Sequence, residues 1–291
     1  MVHSTWGDWF RRDVLEAAEP EGLAIWYLGC NGFVLRTPET TVYVDPYFGD
    51  GDPPGLLRMI PVPLDPASVT ECDHVLVTHE HVDHMHAPSL RPLVEHCDAT
   101  VHAPSASFTD PQYEYDDDVP AANRDVVEVG DVLELGDLTV HVRAANDPDA
   151  LDPVSFVVEH ESGTYVNSGD SRACEAFAEV GEAFDVDVAS LTFGTVGRVR
   201  DGDETVVADW YADEGTVIEN ANRLRADRLV PCHWDMWKGV GGRPESLVSH
   251  AASFTHPRSV EFVTVGDRFR VDRPGVDSPG LAGRDAGDPD R

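Results

Sequence analysis

The chain has 291 residues, 41% of them hydrophobic, enough for one large α/β domain with a buried core. Its 54 acids against 21 bases leave a formal charge of −33, and Lys238 is the only lysine. Such a surface argues against a nucleic-acid partner, which wants a basic face, and no apolar run approaches the length of a membrane span. The acids are dispersed among apolar runs, so they read as the shell of a folded, halophilic protein in which salt screens self-repulsion. Cys30, Cys72, Cys97, Cys174 and Cys232 form no C-x-x-C pair and are odd in number, which reads as reduced thiols in the cytoplasm.

Trp6, Trp9, Phe10, Val14 and Leu15 make the apolar stripe of an N-terminal helix that packs on the domain. Residues 23–28 and 41–45 read as strands around a turn, and a Pro/Gly-rich loop fills 46–66. A short apolar strand (74–78), a helix (88–97) and a strand (99–103) follow, then a long acidic loop (105–125). Segments 126–129, 132–135 and 138–143 are joined at Gly130-Asp131 and Gly136-Asp137, which is hairpin chemistry. Strands fit 154–159 and 164–168, a helix 172–183, a strand 186–191, and a third loop 194–208. Thr216 and Glu219 suggest a capping box for a helix over 217–225. Residues 228–231 form a strand, "PESLVSHAASF" a last helix, and 261–271 a closing hairpin turned at Gly266-Asp267. No linker divides residues 1–271, which read as a single domain; residues 272–291, rich in Pro, Gly and Asp, read as a disordered tail. Strands then helix, twice, suit two sheets packed face to face with helices outside.

"THEHVDHMH" (78–86) places four histidines and two acids directly after the apolar strand. Ligands at a strand end sit on a rigid scaffold yet stay open to solvent. His79 and His81, two apart, can face one side of an extended segment, while Asp83 and His84 turn to a second point. That is ligand chemistry for two metal ions. Glu80 is expected to point away and His86 to lie on the surface. Asp170 follows strand 164–168 and can bridge two cations; His233 follows strand 228–231 and can complete the second site with Asp83 and His84.

H-x-H-x-D-H, then Gly169-Asp170, then a late histidine resembles the metallo-β-lactamase fold superfamily over roughly residues 23–271. "NSGDS" (167–171), "DVDVASLTFG" and "VPCHWDMWKG" (230–239) resemble its L-ascorbate-6-phosphate lactonase branch. The resemblance implies a four-layer αββα sandwich and a metal-dependent hydrolase. The superfamily usually places a third histidine for the first metal before the strand leading to Gly-Asp. Here "RAANDPDALDPVSF" holds Asn146 and Asp147 instead, and Asp147 is the better ligand because an anion neutralises the ion. His141 lies five residues early, on the face of its strand opposite Leu138, Val140 and Val142, and reads as surface. Oxygen in place of nitrogen favours a harder ion. The resemblance also implies manganese, so two divalent ions are expected, Mn²⁺ first and Zn²⁺ second.

A metal pair lowers the pKa of bound water and polarises the oxygen under attack, and no G-x-S-x-G nucleophile is present. The expected reaction is hydroxide opening of a lactone or ester, with Asp83 and Asp170 at the reacting centre. A phosphodiesterase on the same scaffold is the alternative; a di-iron redox protein and a non-catalytic binding protein rank lower. The substrate is a small molecule, and Lys238, Arg172 and Arg198 are the candidate cations if it carries phosphate. A homo-oligomer is compatible with the chain.

Overall fold

Strands that are apolar on both faces need cover on both faces, and that requirement organises this chain. The structure is a computed structural model describing residues 4–52, 56–113, 119–194, 197–201, 203–208 and 210–279. Strands β1 (Ala24–Gly29), β2 (Gly32–Arg36) and β3 (Thr41–Val44) form a fully buried meander. A small hairpin, β4 (Gly51–Asp52) and β5 (Leu56–Leu57), projects from the following loop. Strand β6 (His74–Leu76), helix α1 (Ala87–Cys97), strand β7 (Thr100–Ala103), helix α2 (Ser105–Thr109) and strand β8 (Arg124–Val126) come next, with β6, β7 and β8 adding in parallel to β3.

The second sheet begins as a meander of β9 (Val132–Leu135), β10 (Leu138–Ala144), β11 (Val154–His160) and β12 (Gly163–Asn167). Helix α3 (Phe177–Ala183) leads to β13 (Val188–Thr192), then to a separate hairpin of β14 (Gly197–Asp201) and β15 (Glu204–Ala208). Helix α4 (Glu214–Arg223), strand β16 (Arg228–Cys232), helix α5 (Pro244–Ala251) and strand β17 (Ser259–Val260) finish this sheet, with β13, β16 and β17 parallel. The chain then returns to the first sheet through β18 (Arg268–Arg270) and β19 (Val276–Asp277). The orders are β19-β18-β1-β2-β3-β6-β7-β8 and β17-β16-β13-β12-β11-β10-β9.

Side-chain alternation along each strand creates three apolar layers. Ile25, Tyr27, Phe33, Val140, Phe156, Val158 and Phe269 meet between the sheets. Trp26, Val34, Tyr43 and Val75 face Phe10, Leu15 and the α1 residues Leu90, Leu93 and Val94. Val157, Val166, Ala189 and Leu229 face Phe177, Val217, Ile218 and Leu247 of the other three long helices. The result is the four-layer αββα sandwich. The N-terminal stripe packs on the domain as expected, in a π-helical turn over Phe10–Leu15.

Several local expectations are corrected. The "turn" between the first two strands holds a whole strand, β2. Residues 126–129 do not pair with 132–135: β8 joins β7, Val127 buries between the sheets, and the chain crosses to the second sheet. The pairing across Gly136-Asp137 is present. The loop 194–208 contains the β14–β15 hairpin. Helix α3 starts at Phe177, not 172. Helix α4 is capped by Asp213, which accepts from the Thr216 N–H at 2.7 Å, so Thr216 lies inside the helix. The segment 261–271 turns at Gly266-Asp267 but crosses between sheets instead of pairing with itself, with Val263 and Val265 buried on the way. Residues 272–279 stay on the domain, where β19 pairs with β18; the rest of the expected tail, 280–291, lies outside the described residues.

Candidate metal centre

The site forms where the carboxyl ends of strands from both sheets reach one rim, the usual place for a site in sheets with parallel strands. Strand β6 delivers His79, His81, Asp83 and His84; β10 delivers Asp147; β12 delivers Asp170; β16 delivers His233. His233 lies far along the chain from the cluster, and the parallel pairing of β13 with both β12 and β16 brings it back beside Asp170.

Three overlapping groups of ligand atoms each lie within 4.8 Å: His79, His81 and Asp147; His79, His84 and Asp170; Cys30, Asp83, His84 and His233. His79 Nε2 and His81 Nδ1 are 2.9 Å apart, and Asp147 Oδ2 is 3.6 Å and 3.4 Å from them. Asp170 Oδ2 is 3.1 Å from His84 Nε2 and 3.8 Å from His233 Nε2, and Asp83 Oδ2 is 3.2 Å from His233 Nε2. Asp170 therefore stands between the two outer groups.

The electrostatics follow from burying many titratable groups together. Burial pushes the Asp83 and Asp170 carboxyls up, but the facing imidazoles of His84 and His233 outweigh it and hold both well below the carboxylate range. Burial pushes His84 down, yet Asp170, Asp45 and Asp83 carry it well above the ordinary imidazole value. His79 goes the other way, lowered by burial and by His84. Asp147 is raised to about 6 by burial and by the charge of Asp170.

A buried network holds the ligands. Asp45, at the end of β3, accepts from the Thr78 N–H (2.8 Å), the Thr78 hydroxyl (2.7 Å) and the Asn31 amide (2.8 Å), and contacts His84 Nδ1 at 2.7 Å. A carboxylate on the far nitrogen of a histidine fixes its tautomer and leaves Nε2 free as a ligand. Asp45 (φ +41°) and His233 (φ +70°) both occupy left-handed backbone, a conformation of non-glycine residues that clusters at functional sites.

Residues 40–234 match the family model for the beta-lactamase superfamily domain, two thirds of the chain. The chain belongs to that family. The superfamily domain here is 26% identical to the "Probable L-ascorbate-6-phosphate lactonase UlaG" of Escherichia coli (strain SMS-3-5 / SECEC), and to that of Salmonella heidelberg (strain SL476), covering 83% of this chain and 78% of each relative. Among solved structures it is similar to Igni18, a metallo hydrolase from Ignicoccus hospitalis (TM-score 0.63, 15% identity, 85% of this chain and 97% of that one). It is also similar to an isothiocyanate hydrolase from Delia radicum gut bacteria (TM-score 0.60, 14% identity, 85% and 98%). The superfamily and its lactonase-named relatives make this chain a metal-dependent hydrolase, and the fold implies a dimetal site.

The residues fit a pair of ions. Asp170 Oδ1 and His233 Nδ1 are buried with no hydrogen-bond partner among the described residues. Four imidazoles and three carboxylates converge there, and a buried carboxylate oxygen without a donor is costly unless a cation meets it. His79, His81, Asp147 and Asp170 could hold one ion; Asp83, His84, Asp170 and His233 could hold the other. Over them opens a cavity of about 180 Å³, walled by Leu56, Trp210, Tyr211 and Trp237, with Gln112 and Asp149 at its side. Among the described residues lining it there is no lysine or arginine. Lys238 and Arg198 are exposed elsewhere. Arg172 is paired with Asp149 and donates to the Trp210 carbonyl at 3.3 Å.

His86, expected on the surface, is buried: its Nδ1 meets the Ser89 hydroxyl at 2.6 Å and its ring lies edge-on to Tyr47, because it opens α1 under the 46–66 loop. Glu80 does point away, accepting from the Leu151 N–H at 2.8 Å. His141 lies on the outer face of β10 and pairs with Glu159 at 2.6 Å, as the alternation implied. The sequence reading missed Asp45 and Tyr211, and it missed Cys30, buried at the β1–β2 turn with Sγ 3.2 Å from His233 Nε2. "LGCNGF" carried the signal of that hairpin, a turn pair between two glycines, but nothing local ties it to the histidine cluster.

Proposed function

We propose that this hydrolase opens a compact lactone or related carboxylic ester at a two-ion centre. The observation that carries the reading is Asp170, seated between the His79–His81–Asp147 and Asp83–His84–His233 groups beneath a small cavity with Trp210, Tyr211 and Trp237 in its wall and carboxylates at its floor and side. Two bound divalent cations would supply an activated water and polarise the scissile carbonyl. The chain's own groups do the rest. Asp170, held ionised, orients the attacking water from below. Leu56, Trp210 and Trp237 exclude bulk water and strengthen every polar contact inside. Tyr211 lies against the His233 ring, with centroids 4.3 Å apart, and its hydroxyl accepts from Trp237 Nε1 at 3.1 Å. Burial and the nearby Asp83 and Asp170 keep that phenol protonated, so it can donate to the oxygen that gains charge as the ester opens.

The relatives' named substrate carries a phosphate; the cavity lining favours an unphosphorylated one. Manganese suits the first group, where Asp147 supplies a carboxylate oxygen beside His79 and His81, with zinc second. Turnover should be fastest on neutral lactones and esters, slower on phosphorylated lactones, and slowest on phosphodiesters, in a panel run with each metal added to chelator-treated enzyme. Faster turnover of a phosphodiester would replace the lactonase reading with the phosphodiesterase one. Tyr211→Phe should lower kcat about 10²-fold with KM nearly unchanged, the usual loss when one oxyanion donor is removed.

A further inference from the structure

We infer that Cys30 is a metal ligand, and that its thiolate makes the second ion position select a softer cation than the first. This rests on the two-ion reading above and goes beyond it by adding a sulfur donor.

The geometry is that of a coordination sphere. A tetrahedral ion about 2.3 Å from sulfur and about 2.1 Å from nitrogen and oxygen holds its ligand atoms roughly 3.5 Å apart. Cys30 Sγ lies 3.2 Å from His233 Nε2 and 3.7 Å from Asp83 Oδ2, and those two atoms are 3.2 Å from each other. His84 completes the group of four within 4.8 Å, and all four side chains are buried. Beside this group, Asp170 Oδ1 is buried with no hydrogen-bond partner among the described residues, which points to a cation next to it.

The thiol is placed by the fold. Gly29 and Cys30 both have positive φ, at +95° and +62°, and the pairing of Gly29 with Gly32 turns the chain tightly enough to aim Sγ at the end of β16. Asn31 ties that turn to the rest of the site by donating to Asp45 Oδ2 at 2.8 Å and to Asn167 Oδ1 at 3.1 Å. The neighbouring Cys232 faces elsewhere, with Sγ 3.4 Å from Asn31 Oδ1 and 3.7 Å from the Thr192 hydroxyl. The two ion positions then differ in kind. The first is built from His79, His81, Asp147 and Asp170, with no sulfur; the second adds a thiolate to His84, His233 and two carboxylates. Thiolate selects zinc, cobalt or iron over manganese, so the resident pair is mixed, with manganese at the first position and a thiophilic ion at the second.

Cobalt loaded into the whole chain tests this without reference to turnover. Wild type should bind two Co²⁺ and show a sulfur-to-cobalt charge-transfer band in the near ultraviolet. The band should vanish in Cys30→Ser and persist in Cys232→Ser. X-ray absorption of zinc-loaded wild type should give a sulfur scatterer at about 2.3 Å, a measurement that needs no variant to fold. Zinc affinity at one position should fall at least about tenfold in Cys30→Ser, the lower end of what even groups behind the ligands contribute, while manganese affinity holds. Two bound Co²⁺ without the band, or a band that survives Cys30→Ser, overturns the sulfur ligand and leaves the two-ion reading standing. No bound cobalt at all overturns both.

Discussion

Two histidine clusters lie on neighbouring stretches of this chain, and they differ in what their lone pairs face. His74, at the start of β6, puts Nδ1 3.0 Å from His102 Nε2, and His102 Nδ1 lies 2.7 Å from Asp125. Each contact there has one donor and one acceptor available, so the three side chains form a closed hydrogen-bonded relay between strands. At the other end of β6, His79, His81, His84 and His233 face Asp83 of the same loop and two carboxylates delivered by other segments, Asp147 and Asp170, and Asp170 keeps an oxygen with no partner among the described residues. The difference teaches that histidine density alone does not make a metal site. Convergent acceptors without enough donors do, because only a cation completes them.

The largest effect should come from removing a converging ligand. His81→Ala or Asp170→Ala should lower metal-dependent hydrolysis by more than about 10²-fold, with the circular dichroism of the fold retained. Equal loss on His102→Gln would erase the distinction between the clusters. Next comes Asp147. Asp147→Ala should lose one equivalent of bound metal by elemental analysis and keep the other, and Asp147→His should restore it with a shift towards zinc. Unchanged stoichiometry and affinity would leave Asp147 an ordinary loop residue.

Asp45 sharpens the comparison, since its 2.7 Å contact with His84 Nδ1 matches the 2.7 Å contact of Asp125 with His102 Nδ1. Asp45→Asn should weaken metal binding about 10- to 100-fold without changing stoichiometry, the range for groups that orient a ligand; affinity equal to wild type would assign Asp45 to the turn alone. The smallest effect belongs to the relay. Burial lowers both His74 and His102 below the ordinary imidazole value of 6.5. A folded pKa below the unfolded one means that the unfolded chain binds more protons, so this contribution is complete above pH 6.5 and is lost as pH falls below it. His102→Gln should therefore flatten the acid side of a urea-stability profile and leave metal content untouched; an unchanged acid side would place the titration elsewhere.

Much of the centre was legible because its information is local. H-x-H-x-D-H sits in one loop directly after an apolar strand, and alternation within that loop already divides the ligands into two sets. Asp170 and His233 could be placed because each follows a short segment read as a strand, 164–168 and 228–231, and strand ends gather on one rim. The layered fold was legible for the same reason: the run 23–28 (LAIWYL) is apolar at every position, which demands cover on both faces.

What the tertiary structure alone decided is which distant segments meet. Gly130-Asp131 and Gly266-Asp267 are turns in either case, and whether a strand after them pairs with its neighbour or crosses to the other sheet depends on where Val127, Val263 and Val265 bury. His86 became a buried residue because the 46–66 loop brings Tyr47 over it. Lys238 and Arg172 were near the ligands in sequence and Arg198 lay in the third long loop, yet none of them lines the described cavity: Arg172 pairs with Asp149, and the backbones of Lys238 and Arg198 bond to Leu57 and Gly239. Cys30 shows the limit most clearly. Its turn chemistry is written in four residues, but its nearest ligand neighbour, His233, is 203 positions away. Sequence spacing carries no information about such a contact, because pairing of the two sheets across their apolar interface, and not any local propensity, sets the distance between those strand ends.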